Sequence, residues 1–434
     1  MGRFESIVNT RNFPIIKWLM NAVAFLFTLP YMTIKHPVIF PLGIYAALIP
    51  FDSVLGLGLV GTVTKWLGIL IIVSFGANRL IIAKGRLLRP PRVVWSWALF
   101  LVLAGVSTLW AVAPRETLSP LYTIVGLFLI YFLVGTYPFT ERDYSHLVKL
   151  IIIGGVTATI CVLVLYLQGT VLRHSVRASL ILGVGRVADP NHLATSLILP
   201  LLFSFEWATR PRGAYRIWAV VSVVTIAVVI LLTGSRGGAV GAAIALPLFL
   251  WRSRHRLRWP SVHFSFLTGF LLMFLVLSFI PISKQLLDRF TMVRILETGG
   301  AHRLYIWKVG LEAFLHRPIV GYGYNNFPYA YDIFNYGAYF PHRVAHSIYL
   351  QSFVELGVIG GLLLLRIAWQ HWRLARNLAR RNSFGIPLEA SLVGILVSSA
   401  TLGTLYYKYF WLVFSLILLL ANTKRGKQLH AEMD

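Results

Sequence analysis

Apolar runs of bilayer-crossing character recur from Val38 to Leu420, and they leave few folds open to this chain. They fall near Val38–Phe51, Val60–Ile82, Val93–Trp110, Leu118–Val134, Leu147–Leu167, His192–Phe205, Tyr215–Leu232, Gly237–Trp251, Phe264–Ile280, Ser347–Leu365, Leu388–Leu402 and Leu405–Leu420. Inside a bilayer the backbone has no water to bond, so such runs close their hydrogen bonds within helices. Soluble domains carry roughly a quarter charged residues. This chain carries 13%, set between the apolar runs, against 57% apolar content. The expectation is an all-α polytopic membrane protein.

Charge then orients the helices. The net charge is +25, but the basic residues gather in short loops beside the apolar runs. That is the positive-inside bias of a membrane protein, and no nucleic-acid partner is expected. The dense basic loops are Lys84–Arg92, Arg210–Arg216, Arg252–Arg258 and Arg373–Arg381, with Lys424, Arg425 and Lys427 in the tail. All are expected on the cytoplasmic side, and so is the amino terminus with Arg3 and Arg11. An even number of crossings must then precede Lys84, so residues 1–51 supply one. Pro14–Pro30, interrupted by Lys17 and Asn21, lies in the interface or forms half of a broken hairpin. The count comes to about twelve crossings. Residues 1–281 hold about nine of them. Residues 282–345 form a periplasmic loop with a helix at 303–317, and residues 346–434 carry the last three helices and the tail, all in one integrated domain. No cleavable leader is expected, because the first long apolar run is extended and lacks a small-residue cleavage site. Cys161 stands alone in an apolar run, so it offers neither a disulfide nor a cysteine metal site.

This orientation places Gly169–Asn191, the turn Thr233–Gly237 and the long loop on the outer face together. Arg236 there runs against the charge bias. It suits a headgroup contact by snorkelling, or an anion clamp at a helix start between glycines. Asp189-Pro190 has the form of a helix N-cap with proline in the first turn. That leaves Arg186, Asn191 and His192 unexplained at the same lip, while Arg173 and Arg177 suit acidic headgroups. Arg303 precedes Trp307 by one helical turn, where a cation–π staple could hold it; its fork equally suits phosphate oxygens. His346 sits where the loop re-enters the membrane, as an interface residue or as a general base with a pKa near working pH. His342 lies four residues earlier, which raises a metal pair, but no acidic ligand stands beside it. Glu355 reads as the partner of a buried polar group, although intramembrane carboxylates are functional suspects. The chain has only 15 acidic residues and no Asp-x-Asp pair. Arginines, rather than a metal ion, are what it offers a departing diphosphate.

Four segments also match a known family. They are Thr233-Gly234-Ser235-Arg236-Gly237-Gly238, Asp189-Pro190-Asn191-His192-Leu193-Ala194, Arg303-x-x-x-Trp307 with His316–Phe327, and Ala345-His346-Ser347-Ile348-Tyr349-Leu350-Gln351 with Glu355–Gly360. Together they resemble the O-antigen ligase and O-antigen polymerase superfamily of bacterial inner-membrane glycosyltransferases, and most of all its O-antigen ligases. Ser347 departs from the asparagine many members carry after the histidine. The resemblance implies an undecaprenyl-diphosphate-linked glycan donor, a lipid A–core acceptor, a periplasmic active site among membrane lipids, and neither metal nor other cofactor. It places His346 as the catalytic base and Arg236 and Arg303 on the donor diphosphate. Arg186 is added to them from its sidedness, with Asp189, Asn191, His342 and Trp307 in support. A single displacement would invert the anomeric centre. The same donor would serve an O-antigen polymerase or a protein oligosaccharyltransferase equally well. A lipid-glycan transporter fits less, because the unusual charges gather at one lip and no second half repeats the first.

Overall fold

The computed structural model describes residues 38–57, 60–77, 88–169, 177–182, 186–209, 213–257, 263, 267–269, 271–273, 278, 284–291, 302–336 and 341–431. The Pro14–Pro30 run, the loop residues Lys84 and Arg173, and most of Phe264–Ile280 lie outside the described residues. The structure is predominantly helical. Helices α1 (Ile39–Leu48), α2 (Val63–Ala77), α3 (Arg92–Val106), α4 (Pro114–Thr136) and α5 (Glu141–Leu167) come first. A two-stranded ribbon, β1 (Ile181–Leu182) with β2 (Arg186–Val187), follows; it pairs antiparallel with Ile181 opposite Val187. Then come α6 (Pro190–Ser196), α7 (Ile198–Ala208), α8 (Gly213–Leu232), α9 (Arg236–Ser253) and the short α10 (Lys284–Asp288). The long loop contributes α11 (Arg303–His316) and α12 (Phe327–Phe334), and the chain ends in α13 (Ile348–Arg381), α14 (Gly385–Ser398) and α15 (Lys408–Ala431).

Among the described residues, four helical segments are long and apolar enough to cross a membrane: Arg92–Leu109, Pro114–Thr136, Glu141–Leu167 and Ile348–Arg381. Shorter apolar helices at Ile39–Phe51, Val63–Ala77, Arg216–Leu232, Gly385–Ser398 and Lys408–Thr423 accompany them. Helix α15 is the axis of the bundle. Every residue from Tyr409 through Leu420 is buried, as expected of a helix that is hydrophobic on all sides. Trp411 and Phe414 pack on Trp97 of α3, with ring centroids 4.5 and 5.9 Å apart.

Two local features place the site. Helices α9 and α14 approach closely because small residues face each other. A Cβ on Gly241 would strike the Gly394 carbonyl, and the Ser398 hydroxyl donates to the Gly237 carbonyl at 2.9 Å. Contacts of this kind are what close helix packing in a membrane requires. The second feature is a break in α13 at Gly357, with φ 65° and ψ −167°. The loop backbone docks into that break. Val358 N donates to Pro318 O at 2.7 Å, Tyr322 N to Val354 O at 3.1 Å, and Gly323 N to Glu355 O at 2.8 Å. Any side chain at Gly357 would collide with the Ile319 carbonyl. The loop is therefore sewn to the helix that follows it.

Candidate active site

The turns at one end of the bundle meet. They join α1 to α2, α3 to α4, α5 to α6, α8 to α9 and α14 to α15, and the loop helices lie over them. Glycine is required in the α8–α9 turn, where Gly234 has φ +59° and packs against Leu286 and Arg289. Ser235 caps α9 by accepting from Gly238 N at 3.2 Å. This puts Arg236 on the first residue of the helix, where unpaired N–H groups favour an anion.

Two further arginines hold this turn. Arg177 donates from Nε to Thr233 O and from Nη2 to Asn191 Oδ1, both at 2.7 Å. Arg289 donates from Nε to Gly234 O at 3.3 Å. Arg177 and Arg289 thus neutralise backbone carbonyls with part of each guanidinium. Arg236 differs: its Nε is buried without a hydrogen-bond partner. A buried donor left unpaired costs free energy, so such a group demands an explanation.

Helix α11 supplies Arg303 as its first residue. Arg303 lies within electrostatic range of Arg236, Arg289 and Asp189, and Arg177 feels all four of these groups. Burial first, and then the Arg236 guanidinium, holds Arg303 below the usual arginine range. Arg177 is pushed down to about 10, by burial and then by Arg289. Four guanidinium groups therefore share one small region with Asp189. Their mutual repulsion is energy that a bound polyanion would relieve.

His346 also lies within electrostatic range of Arg303. It has φ 46°, in the left-handed region that side chains seldom adopt, just before Ser347, the N-cap of α13. Trp307 of α11 supports this strained backbone, its Nε1 donating to Ala345 O at 2.9 Å. The indole thus braces the peptide that joins Ala345 to His346. The cation–π contacts among the described residues involve Arg252, Arg254, Arg317 and Arg376 instead of Arg303. Burial, followed by the nearby Arg303, lowers the His346 pKa from its ordinary value, while Asp189 opposes them. The neutral, proton-accepting imidazole is favoured.

The remaining candidates divide. Asp189 caps α6, accepting from Asn191 N at 2.7 Å, and its charge reaches His346 and Arg303. Asn191 is the acceptor for Arg177. His192 lies within range of His346, Asp189 and Arg303, stacks on Tyr407 at 3.5 Å, and bonds the Tyr409 hydroxyl at 2.9 Å. His342 shares no helix with His346: its Nδ1 pairs with Asp332 at 3.0 Å and its ring meets Tyr329 edge-on. Arg186 lies exposed in the ribbon, its guanidinium over Gly56 of the α1–α2 turn. Arg289 escaped the sequence analysis; its signal was a cation on the side where the charge bias predicts few. Glu355 accepts from Phe327 N and the Gln351 side chain at 3.2 and 3.0 Å, so it caps α12.

Residues 221–365 match the O-antigen ligase family. That segment runs from α8 into α13 and contains Arg236, Arg289, Arg303, Trp307 and His346. A Rickettsia felis protein named "Putative polysaccharide ligase" is also similar, 25% identical over 302 residues, which is 65% of this chain and 69% of that protein. The matched segment thus holds Arg236, Arg289 and Arg303 together with His346, whereas Asp189, His192 and Tyr407 lie outside the match.

Proposed function

We propose that this protein is an O-antigen ligase of the bacterial inner membrane, crossing it about twelve times with both termini in the cytoplasm. Its donor is undecaprenyl-diphosphate-linked O-antigen, its acceptor is a sugar of lipid A–core, and the site faces the periplasm. The observation that carries this reading is the guanidinium cluster beside a neutral-leaning histidine, with Arg236 Nε buried and unpaired.

The chemistry follows from that arrangement. Arg236 and Arg303 bind the diphosphate, and Arg177 and Arg289 add positive potential while holding the turn in shape. His346 takes the proton of the acceptor hydroxyl, and the freed oxygen lone pair forms the new bond to the anomeric carbon. The carbon–oxygen bond to the diphosphate breaks as that bond forms. Undecaprenyl diphosphate leaves with the electron pair, its new charge met by the arginines. One displacement inverts the anomeric centre. No step calls for a metal ion, since guanidinium groups carry the neutralisation. Trp307 acts on the base through Ala345, and Asp189 balances the cations nearby. Arg186 stands outside this assignment.

The test is a one-pot reaction of purified protein, lipid-linked donor and lipid A–core with a strong chelator present. A mass increase of the core by the glycan supports the proposal. Lengthened glycan on the carrier alone would make the protein a polymerase. Activity lost to the chelator and restored by one divalent ion would overturn the arginine mechanism.

A further inference from the structure

A crevice opens at the same end of the bundle, among the turn after α1, the start of α6 and the start of α15. Its lining includes Asp52, Asp189, His192, Tyr407 and Lys408. The steps above make no use of Asp52, Tyr407 or Lys408.

The walls are built and held. His192 and Tyr407 stack face to face, 10° from parallel, so each covers one face of the other and the Tyr407 ring forms part of the wall. Lys408 donates to both Asp52 oxygens at 2.7 and 2.8 Å, and Asp52 also accepts from Thr62 and Thr64. An ammonium carries three donors, so this pairing leaves Lys408 one N–H to give. At the mouth, Asp189 is exposed, and one of its carboxylate oxygens accepts from Asn191 N.

The electrostatics divide this end of the bundle into two halves. The Arg236 and Arg289 half is cationic and suits a leaving diphosphate. The crevice half reaches His346 through Asp189 and His192, which both lie within range of it. It offers a carboxylate, an ammonium and a flat ring face. An attacking hydroxyl has to arrive beside the base, away from the diphosphate. Flat rings pack on the C–H face of a pyranose, and the charged groups bond its hydroxyls.

We infer that this crevice is the acceptor subsite: it takes a hydroxyl-rich pyranose, the terminal sugar of the lipid-anchored acceptor, against the Tyr407 ring that His192 backs, with Lys408 and Asp189 reading its hydroxyls. The inference rests on the transferase proposed above, so its test needs one readout that does not depend on turnover. Full-length protein in nanodiscs would be titrated with delipidated core oligosaccharide, and separately with undecaprenyl diphosphate. The variants are Tyr407→Ala and Tyr407→Phe. Tyr407→Ala is expected to weaken oligosaccharide binding, and to raise the acceptor KM, by about tenfold. Undecaprenyl diphosphate affinity and Tm should stay near wild type. Tyr407→Phe keeps the ring face and should recover most of the loss.

Equal weakening of both ligands, or a Tm drop that accounts for the loss, would overturn the inference and make the ring a packing residue. Wild-type protein that binds undecaprenyl diphosphate but no oligosaccharide would overturn it as well. Oligosaccharide binding that depends on Tyr407, in protein showing no transfer, would support the subsite and sink the ligase assignment alone.

Discussion

Two glycine-punctuated turns meet at one end of this bundle, and they use their polar groups in opposite ways. In Gly321–Asn326 the asparagine side chains and the Tyr324 backbone are bound up in holding the chain. Asn326 accepts from Ala113 N at 2.6 Å and donates to Thr117 at 2.8 Å, Asn325 donates to Glu116 O at 3.0 Å, and Tyr324 N donates to Ser107 at 2.9 Å. In Thr233–Arg236 the carbonyls are satisfied by arginines from two other segments, while Arg236 keeps a buried, unpaired Nε. The first turn is a clasp that fixes the loop between the α3–α4 turn and the break in α13. The second is the turn on which the proposed site is built. A dense motif therefore does not by itself mark chemistry; a polar group left without a partner, among like charges, marks it better.

The largest effect that would sharpen this contrast is at the base. His346→Ala should cut turnover by about 100- to 10,000-fold, the span of general-base contributions, while donor affinity stays close to wild type. Steady-state rates and a donor titration would check both; a variant turning over near wild type would remove His346 from the chemistry. On the clasp side, Asn326→Ala should cost about 1–3 kcal/mol of stability by leaving buried partners unsatisfied. Thermal denaturation in a fixed detergent would read it, and an unchanged Tm would mean the clasp is dispensable. Trp307→Phe sits between the two cases, losing one hydrogen bond to Ala345. It should lower kcat about three- to tenfold with little change in either KM; a change confined to KM would contradict a positioning role.

The smallest effect is in the pH profile. The His346 pKa is held below 6.5 by burial and by Arg303. Its neutral form is therefore already dominant at pH 6.5. The acid limb of kcat/KM, which reports the free enzyme, should fall below that value, and raising the pH further should gain nothing from this group. A limb above 7 would mean that Asp189 dominates the histidine instead.

Much of the frame was legible because apolar runs dictate helices in lipid, and those at Leu118–Val134 and Leu147–Leu167 correspond closely to α4 and α5. The break at Gly357 was not, since it lies inside an apolar run and exists only because the loop backbone supplies the missing hydrogen bonds. The apolar run Ser347–Leu365 predicts a span of that length, yet α13 runs on to Arg381. The stretch after the Gly357 break, 358–381, is by itself about 36 Å long, beyond the ~30 Å hydrocarbon layer. At the site, Arg236, Arg303 and His346 stood out by charge and position, and the structure gathers them around Arg303. Arg177 and Arg289 looked like any loop arginine, because what distinguishes them is which carbonyl each reaches across the fold. Arg186 was chosen by sidedness, a criterion too coarse to tell a ribbon residue over Gly56 from a member of the cluster.

The central claim is that convergent guanidinium groups, and Arg236 above all, hold a lipid diphosphate. Titrating undecaprenyl diphosphate into wild-type and Arg236→Lys protein tests it most directly. A lysine keeps the charge but loses the two-pronged contact, so affinity should fall at least about tenfold with Tm unchanged. Equal affinity in the two proteins would reduce Arg236 to a headgroup contact and contradict the account.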